Sequence, residues 1–218
     1  MISFLLNGQV LTFIILLGTI ILSLAFHEFG HAWSAKRFGD STAEKLGRLT
    51  LNPIAHIDPM GLLMIVLVGF GWAKPVPTDP RNFNSFWATF FIALAGPMAN
   101  LLLAFLAVNL FGLIVALDIQ ILVNETVLTV VWWFSFINLL LMLFNLIPLG
   151  PLDGHYILPY FLPRSVSQHY RRLNSQYGGF AVLGLVLLSY AGLPIFLWLQ
   201  TAARSLLGVL QIIGPDVF

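Results

Sequence analysis

Two histidines and a glutamate stand near the end of the first long apolar run, in the stretch LAFHEFGHAW of residues 24–33. His27 and His31 are four residues apart, so on a helix their rings project from one face and can both reach one Zn²⁺ at about 2 Å. Glu28 adjoins His27 and is placed to touch a metal-bound water instead. The pattern predicts a zinc metallopeptidase site in which Glu28 takes a proton from that water and later returns it.

A short HExxH pattern also arises by chance, and the alternative to a metal site is such a chance match. The surroundings of this motif weigh against chance, because ionisable residues inside membrane segments are rare and tend to be functional. His27 lies eight residues before Ala35, where the apolar run ends. On a helix that separation places it roughly 12 Å below the polar end.

A catalytic zinc keeps three protein ligands and one open position, so a third ligand must come from elsewhere in the chain. Asp153 follows a long apolar segment in NLIPLGPLDGH, where Pro148 and Pro151 prevent a continuous helix. Non-helical backbone at membrane depth is tolerated only where it is buried in protein or lines a polar site. Supplying a carboxylate ligand to a metal would be such a case. We therefore predict Asp153 as the third ligand, with a loop turn or a helix cap as its alternative role. Of the other acids, Asp58 is expected to be structural, as the cap of a turn. Those expected in loops, on the far side or in the tail are Asp40, Glu44, Asp79, Asp118, Glu125 and Asp216.

The elements that hold these residues belong to a membrane protein. Of the 218 residues 59% are hydrophobic and only 9% are charged, whereas soluble domains carry about a quarter charged residues. We expect one intramembrane domain over residues 1–218, with a catalytic core at about 4–160 and a C-terminal helical hairpin at about 178–213. The net charge of +1 argues against nucleic acid as a partner. The absence of cysteine excludes disulfides and thiolate metal ligands.

The sequence predicts an all-α polytopic membrane protein with about five to six transmembrane helices. The long apolar segments, each expected to form a helix, lie at about 4–35, 86–117, 126–146, 178–192 and 194–213. Residues 36–60 are polar and rich in Gly and Pro, which indicates loop or short strands. Residues 61–72 are too few for a full span, so a re-entrant or short extended segment near the active site is expected. Nine of the ten basic residues then share one side. The positive-inside rule makes that side cytoplasmic and puts the N-terminus outside.

Five motifs in this order resemble the site-2 protease family (peptidase M50), in particular its compact prokaryotic branch without PDZ or CBS domains. They are HEFGH, GDSTAEKLGRLTLNPIAHIDPMG, FGWAKPVPTDPRNF, AGPMAN and NLIPLGPLDG. The resemblance implies one Zn²⁺ per chain, bound by His27, His31 and Asp153, with Glu28 as the general base. It also implies a multi-pass protein of a prokaryotic cell membrane, with its active site toward the cytoplasm.

Two further residues match the pattern of that family. Asn145 begins the NxxPxxxxDG motif, and it could hydrogen-bond the developing oxyanion or satisfy backbone groups freed by the proline break. His56, in NPIAHIDP, could polarise or contact the substrate, or it could be a structural loop histidine. We interpret Asn100, in AGPMAN, as an interhelical contact that belongs to the architecture.

The resemblance implies a zinc-dependent intramembrane endopeptidase that hydrolyses peptide bonds within or near transmembrane segments. Its expected partners are single-span membrane-protein substrates and the lipid bilayer. The 36–60 loop and AKPVPT are predicted to supply an edge that pairs with an unwound substrate. The alternatives are a membrane zinc transporter and a non-catalytic helix-binding scaffold. Ligands clustered near one face disfavour an ion path, and a scaffold has no need of Glu28.

Overall fold

The computed structural model describes residues 1–215, so Asp216, expected in the tail, lies outside the described residues. This range contains no strand and is all-α, as predicted. Residues 36–60, where short strands were one expectation, instead form helical turns at Thr42–Lys45 and Pro53–Ala55. The α-helices of the range are α1 (Ile2–Leu6), α2 (Val10–Arg37), α3 (Thr42–Lys45), α4 (Pro59–Val68), α5 (Ala88–Ala116), α6 (Glu125–Asn145), α7 (Gly154–Ile157), α8 (Arg164–Tyr190) and α9 (Ile195–Leu210).

Three of these helices, α2, α5 and α6, are long and apolar enough to cross a membrane. Helices α8 and α9 meet at 89° and add a fourth span if the bent pair is counted as one. The expected count of five to six was therefore too high for residues 1–215. The reason is that α4 has only 10 residues and that α8 begins with the polar stretch RSVSQHYRRLNSQ, which lowers its apolar length.

The ends of α2 follow from local chemistry. The apolar run was expected to form one helix from about Phe4, but a turn at Gly8, with φ of 74°, separates α1 from α2. At the other end, Gly39 adopts a φ of 97°. A left-handed glycine of this kind ends a helix by letting the next amides bond back to its last carbonyls. Here the N–H groups of Gly39 and Asp40 donate to the carbonyls of Lys36 and Ala35.

Helix α4 belongs to a stretch that enters and returns. The N–H of Lys74, after α4, donates to the carbonyl of His56, before it, at 2.8 Å. The two ends of the stretch 56–74 therefore lie side by side. This agrees with the re-entrant interpretation of residues 61–72.

The centre of the fold is a polar layer between two apolar clusters. Helices α2 and α5 are antiparallel, because His27 contacts Asn100 whereas His31, one turn later, contacts Ile92. On one side of this layer, α2, α5, α6 and α9 bury a cluster that includes Leu16, Val108, Leu139 and Leu207. On the other side is a smaller cluster of Ala35, Ala88 and Ile92.

The outer face of α5 shows how the helices meet their surroundings. Leu102, Leu106, Leu110 and Leu113 recur every three or four residues and are between 40% and 60% exposed. That spacing puts them in one stripe on the helix. A continuous leucine stripe is costly in water and natural against lipid tails. The protein is therefore an all-α, multi-pass membrane protein.

Candidate metal centre

His27, His31 and Asp153 come together beside α5. Their potential ligand atoms all lie within 4.8 Å of one another. The Nε2 atoms of the two histidines are 3.0 Å apart. The Asp153 carboxylate faces both, with Oδ2 at 3.2 Å from His27 Nε2 and Oδ1 at 3.3 Å from His31 Nε2. The helical spacing that the sequence offers thus brings both rings against a carboxylate more than a hundred residues away.

The other nitrogen of each ring is held by the protein. His27 Nδ1 lies 2.7 Å from Asn100 Oδ1, and His31 Nδ1 lies 2.6 Å from the carbonyl oxygen of Ile92. Both partners are acceptors, so each ring carries its proton on Nδ1 and turns the lone pair of Nε2 toward the centre. Asp153 Oδ2 is buried and accepts no hydrogen bond from residues 1–215. Two lone pairs and a carboxylate that converge in this way fit a Zn²⁺ ion.

A buried amide chain supports His27 from behind. Asn100 Nδ2 donates to Asn138 Oδ1 at 2.8 Å and to the carbonyl of Ser23 at 3.2 Å. Asn100 and Asn138 are both fully buried. The sequence interpretation of Asn100 as architecture missed its contact with a candidate ligand. The available signal was a polar residue in the middle of a long apolar helix.

The AGPMAN motif forms the wall of the centre. Pro97 lies inside α5, where it has no N–H to offer the carbonyl of Ala93. One residue earlier, the carbonyl of Ile92 accepts the hydrogen bond of His31. Gly96 faces both rings: a Cβ there would overlap His31 Nε2 and lie 2.7 Å from His27 Cε1. The motif therefore supplies the space that the rings occupy and, through Asn100, the acceptor for His27 Nδ1.

Asp153 reaches the centre through a non-helical stretch. Helix α6 ends at Asn145, and hydrogen bonds from Leu149 N to the Ile147 carbonyl and from Leu152 N to the Leu149 carbonyl shape the turns that follow. The prolines in this stretch explain why α6 does not continue, as the sequence predicted.

Glu28 lies beside the ligands and contacts an extended segment of the chain. Its side chain is buried, and its Oε2 accepts a hydrogen bond from the N–H of Val76 at 3.1 Å. We call residues 72–79 the extended segment. Glu28 thus joins α2 to this segment and presents its carboxylate next to His27.

The extended segment is held at both ends. At one end Arg48, which is only 6% exposed, donates to the carbonyls of Lys74 at 2.5 Å and Pro75 at 3.1 Å. At the other end the buried Asp40 accepts a hydrogen bond from Asp79 N at 2.7 Å. From the sequence, Arg48 is only one of the nine basic residues predicted to share one side of the membrane, because nothing in its local pattern indicates these distant partners.

Asn145 and His56 are placed differently from the three candidate ligands. Asn145 Nδ2 donates to the carbonyl of Leu141 in its own helix at 3.0 Å. His56 is 1% exposed; its Nε2 donates to the carbonyl of Thr50 at 2.8 Å and its Nδ1 lies 3.3 Å from Arg48 Nη2. Among residues 1–215 neither side chain bonds to a candidate ligand, and their roles toward substrate stay predictions.

Comparison with known proteins gives one family. The sequence model of peptidase family M50 matches residues 12–118 and 107–187. The protein described as "Putative zinc metalloprotease YwhC" of Bacillus subtilis (strain 168) is 45% identical over 152 residues, which are 68% of this chain and 69% of that protein. "Putative zinc metalloprotease Rip2" of Mycolicibacterium smegmatis is 36% identical over 167 residues, which are 70% of this chain and 60% of that protein. No solved structure gives a significant match.

Proposed function

The chain belongs to peptidase family M50, and from this premise we propose that it is a zinc-dependent intramembrane endopeptidase of the site-2 type. The observation that carries the proposal is the convergence of His27, His31 and Asp153 with Glu28 alongside. The relatives YwhC and Rip2 are described as putative zinc metalloproteases, which supports the metal and the reaction class. We propose that residues 1–218 form a single intramembrane domain, with the catalytic core at about 4–160.

The residues divide the work as follows. His27, His31 and Asp153 would hold Zn²⁺, which when bound supplies a Lewis acid that acidifies a water and polarises a carbonyl. Glu28 accepts a proton from the attacking water and donates it to the leaving nitrogen. The N–H of Val76 holds Glu28 Oε2 and so orients the carboxylate for both transfers.

Single-span membrane proteins are the proposed substrates. Their helical carbonyls already accept hydrogen bonds, so a stretch must unwind before it can react. The N–H of Thr78 and the carbonyl of Val76 have no partner among residues 1–215, and they offer an edge with which an unwound stretch can pair. The side rich in basic residues supports an active site toward the cytoplasm of a prokaryotic cell.

Replacing Glu28 by Gln tests the reaction. The expected result is an intact zinc content and a turnover at least about 100-fold lower, because the amide cannot accept a proton. The measurement pairs elemental analysis of the purified protein with quantitative membrane proteomics, in which single-span proteins accumulate in the variant.

The control for this experiment is Glu44→Gln, which removes an exposed carboxylate paired with Lys36 and should leave turnover unchanged. Retained proteolysis in Glu28→Gln contradicts the assignment of the base. Zinc flux into liposomes that carry the wild-type protein, without peptide cleavage, would favour the transporter alternative.

A further inference from the structure

Arg48 occupies an unusual position for a charged residue. Its side chain is buried, and no ion pair of Arg48 occurs among residues 1–215. Its charge is compensated by carbonyl groups: Nη2 donates to Lys74 and Nη1 donates to Pro75. Burying a guanidinium costs much free energy. Because that of Arg48 donates to two consecutive carbonyls of the extended segment, we look for a role beyond packing.

His56 makes the fork rigid. Its Nε2 donates to the Thr50 carbonyl, which leaves the lone pair of Nδ1 to accept from Arg48 Nη2. The backbone carbonyl of His56 also accepts the N–H of Lys74. Lys74 is therefore held by its N–H through His56 and by its carbonyl through Arg48.

The decisive feature is the peptide unit between Pro75 and Val76. Its carbonyl oxygen accepts from Arg48 at 3.1 Å, and its N–H donates to Glu28 at 3.1 Å. A peptide unit is planar, so a donor on its oxygen also sets the direction of its N–H. A cation on the oxygen polarises the unit and strengthens the bond from the N–H to an anion.

We infer that Arg48 is a positioning residue for Glu28, acting through the 75–76 peptide unit that the two side chains share. The inference rests on the proposed role of Glu28 as the general base. Arg48 touches neither the candidate ligands nor the reacting atoms. Arg48 holds the 75–76 peptide unit, and this unit holds Glu28.

Hydrogen exchange of single amides in the full-length, zinc-loaded chain tests the inference without any substrate. In Arg48→Met the N–H groups of Lys74 and Val76 are expected to exchange at least about 10-fold faster, the loss of roughly one hydrogen bond. The N–H of Asp79, which is held by Asp40, should change less than about 3-fold. The matched control is Arg37→Met, since Arg37 is exposed and stacks on Trp33, and all three amides should keep their wild-type rates.

Kinetics add a readout that a packing role would not produce. With zinc bound, Arg48→Met should lower kcat at least about 10-fold and change KM less than about 3-fold. The base is misaligned, whereas Asp40 still holds the substrate-pairing end of the segment through the N–H of Asp79, next to Thr78. Arg48→Lys retains the charge but has only one nitrogen for two carbonyls. It should recover part of kcat and part of the protection at Val76.

Each outcome decides the matter. Unchanged exchange at Val76 in Arg48→Met, equal acceleration at Asp79, or full recovery by Arg48→Lys overturns the inference. If Arg48→Met does not fold, Arg48→Lys is judged by the same order of amides, and failure of both to fold assigns Arg48 to folding and overturns the inference. A zinc-loaded wild type that cleaves no membrane protein contradicts the proposed function instead, and the exchange result separates the two failures.

Discussion

The candidate metal centre is packed so closely that a single added atom would disturb it, and Gly96 shows this most directly. The rings of His27 and His31 cannot move away from an added methyl group, because Asn100 and Ile92 hold them from behind. The added Cβ would overlap His31 Nε2, the atom that would bind the metal. A glycine is therefore required here for space.

Replacing Gly96 by Ala should weaken zinc binding at least about 10-fold, since overpacking of a rigid site costs about 1–3 kcal/mol. The measurement is a zinc titration of the purified protein in a competing chelator. Gly18→Ala is the matched control, because nothing lies within 4 Å of a Cβ added at that membrane-helix glycine. Equal zinc affinity in the two variants would contradict the close contact at Gly96.

At the scale of single residues, the sequence indicates the candidate ligands better than the residues that support them. The sequence predicts His27 and His31 because four residues on a helix make about one turn. It predicts Asp153 because prolines interrupt an apolar segment before it. The contacts of Asn100 and Arg48 cannot be predicted from the sequence in the same way. Their partners lie 73 and 26–27 residues away along the chain, and no local pattern encodes such a distance.

Among the elements, the extended segment connects several parts of the fold. It is anchored by Arg48 and His56 at one end and by Asp40 at the other, and it contacts Glu28 between them. This arrangement leaves the N–H of Thr78 directed to no partner among residues 1–215. The segment is thus fixed enough to position a base and open enough to pair with another strand.

Proline substitution separates these two roles of the segment. Val76→Pro removes the N–H that binds Glu28, whereas Thr78→Pro removes an N–H with no partner among the described residues. If substrate pairs here, Thr78→Pro should lower kcat/KM at least about 10-fold, the worth of about one lost hydrogen bond, at unchanged zinc content. Parallel loss of zinc and cleavage, or full activity in Thr78→Pro, would count against pairing.

The hydrogen bonds of Asp40 should make the stability of the fold depend on pH in the acid range. Burial by itself raises the pKa of Asp40, but hydrogen bonds from Thr42, Asn82 and the backbone of Asp79 bring this pKa below its usual value of 3.8. A carboxylate with a lowered folded-state pKa stabilises the fold above its unfolded value and loses that contribution as pH falls through the folded-state value.

We therefore expect the thermal midpoint to fall when the pH drops below about 4. Asp40→Asn should lower the midpoint by about 2–4 °C at neutral pH and should lack part of the acid-dependent fall. Differential scanning calorimetry in detergent checks both. The exposed Glu44→Gln is again the control, and an identical acid response in Asp40→Asn and wild type would refute the anchor.

Element boundaries are predictable only where a long apolar run or a proline marks them. Helix α5 and the end of α6 lie within a few residues of the predicted segments, since long apolar runs and prolines mark them. The break at Gly8 and the polar first half of α8 were not anticipated. A helix tolerates polar residues on an exposed face, so polarity alone does not exclude one.

Across the whole molecule, the distribution of basic residues predicts an orientation in the membrane, and this prediction can be measured. The chain has no cysteine, so single cysteines can be introduced without a background. Lys45 and Gln120 are exposed and lie in segments expected on opposite sides of the membrane.

In intact cells, a membrane-impermeant maleimide should label Gln120→Cys and leave Lys45→Cys unlabelled until the membrane is permeabilised. Lys74→Cys should behave like Lys45→Cys, because the stretch 56–74 returns to the side from which it enters. Labelling of Lys74→Cys together with Gln120→Cys would mean that α4 crosses.

The placement of the three candidate ligands also has a consequence for biosynthesis. The two imidazoles emerge from the ribosome early, and the carboxylate follows only after α5 and α6 have been made. A nascent chain that has inserted α2 alone carries two of the three candidate ligands and lacks the wall that Gly96 of α5 supplies. Under the proposed function, such a chain cannot cleave the proteins that insert beside it, because the candidate site is complete only after Asp153 has been synthesised.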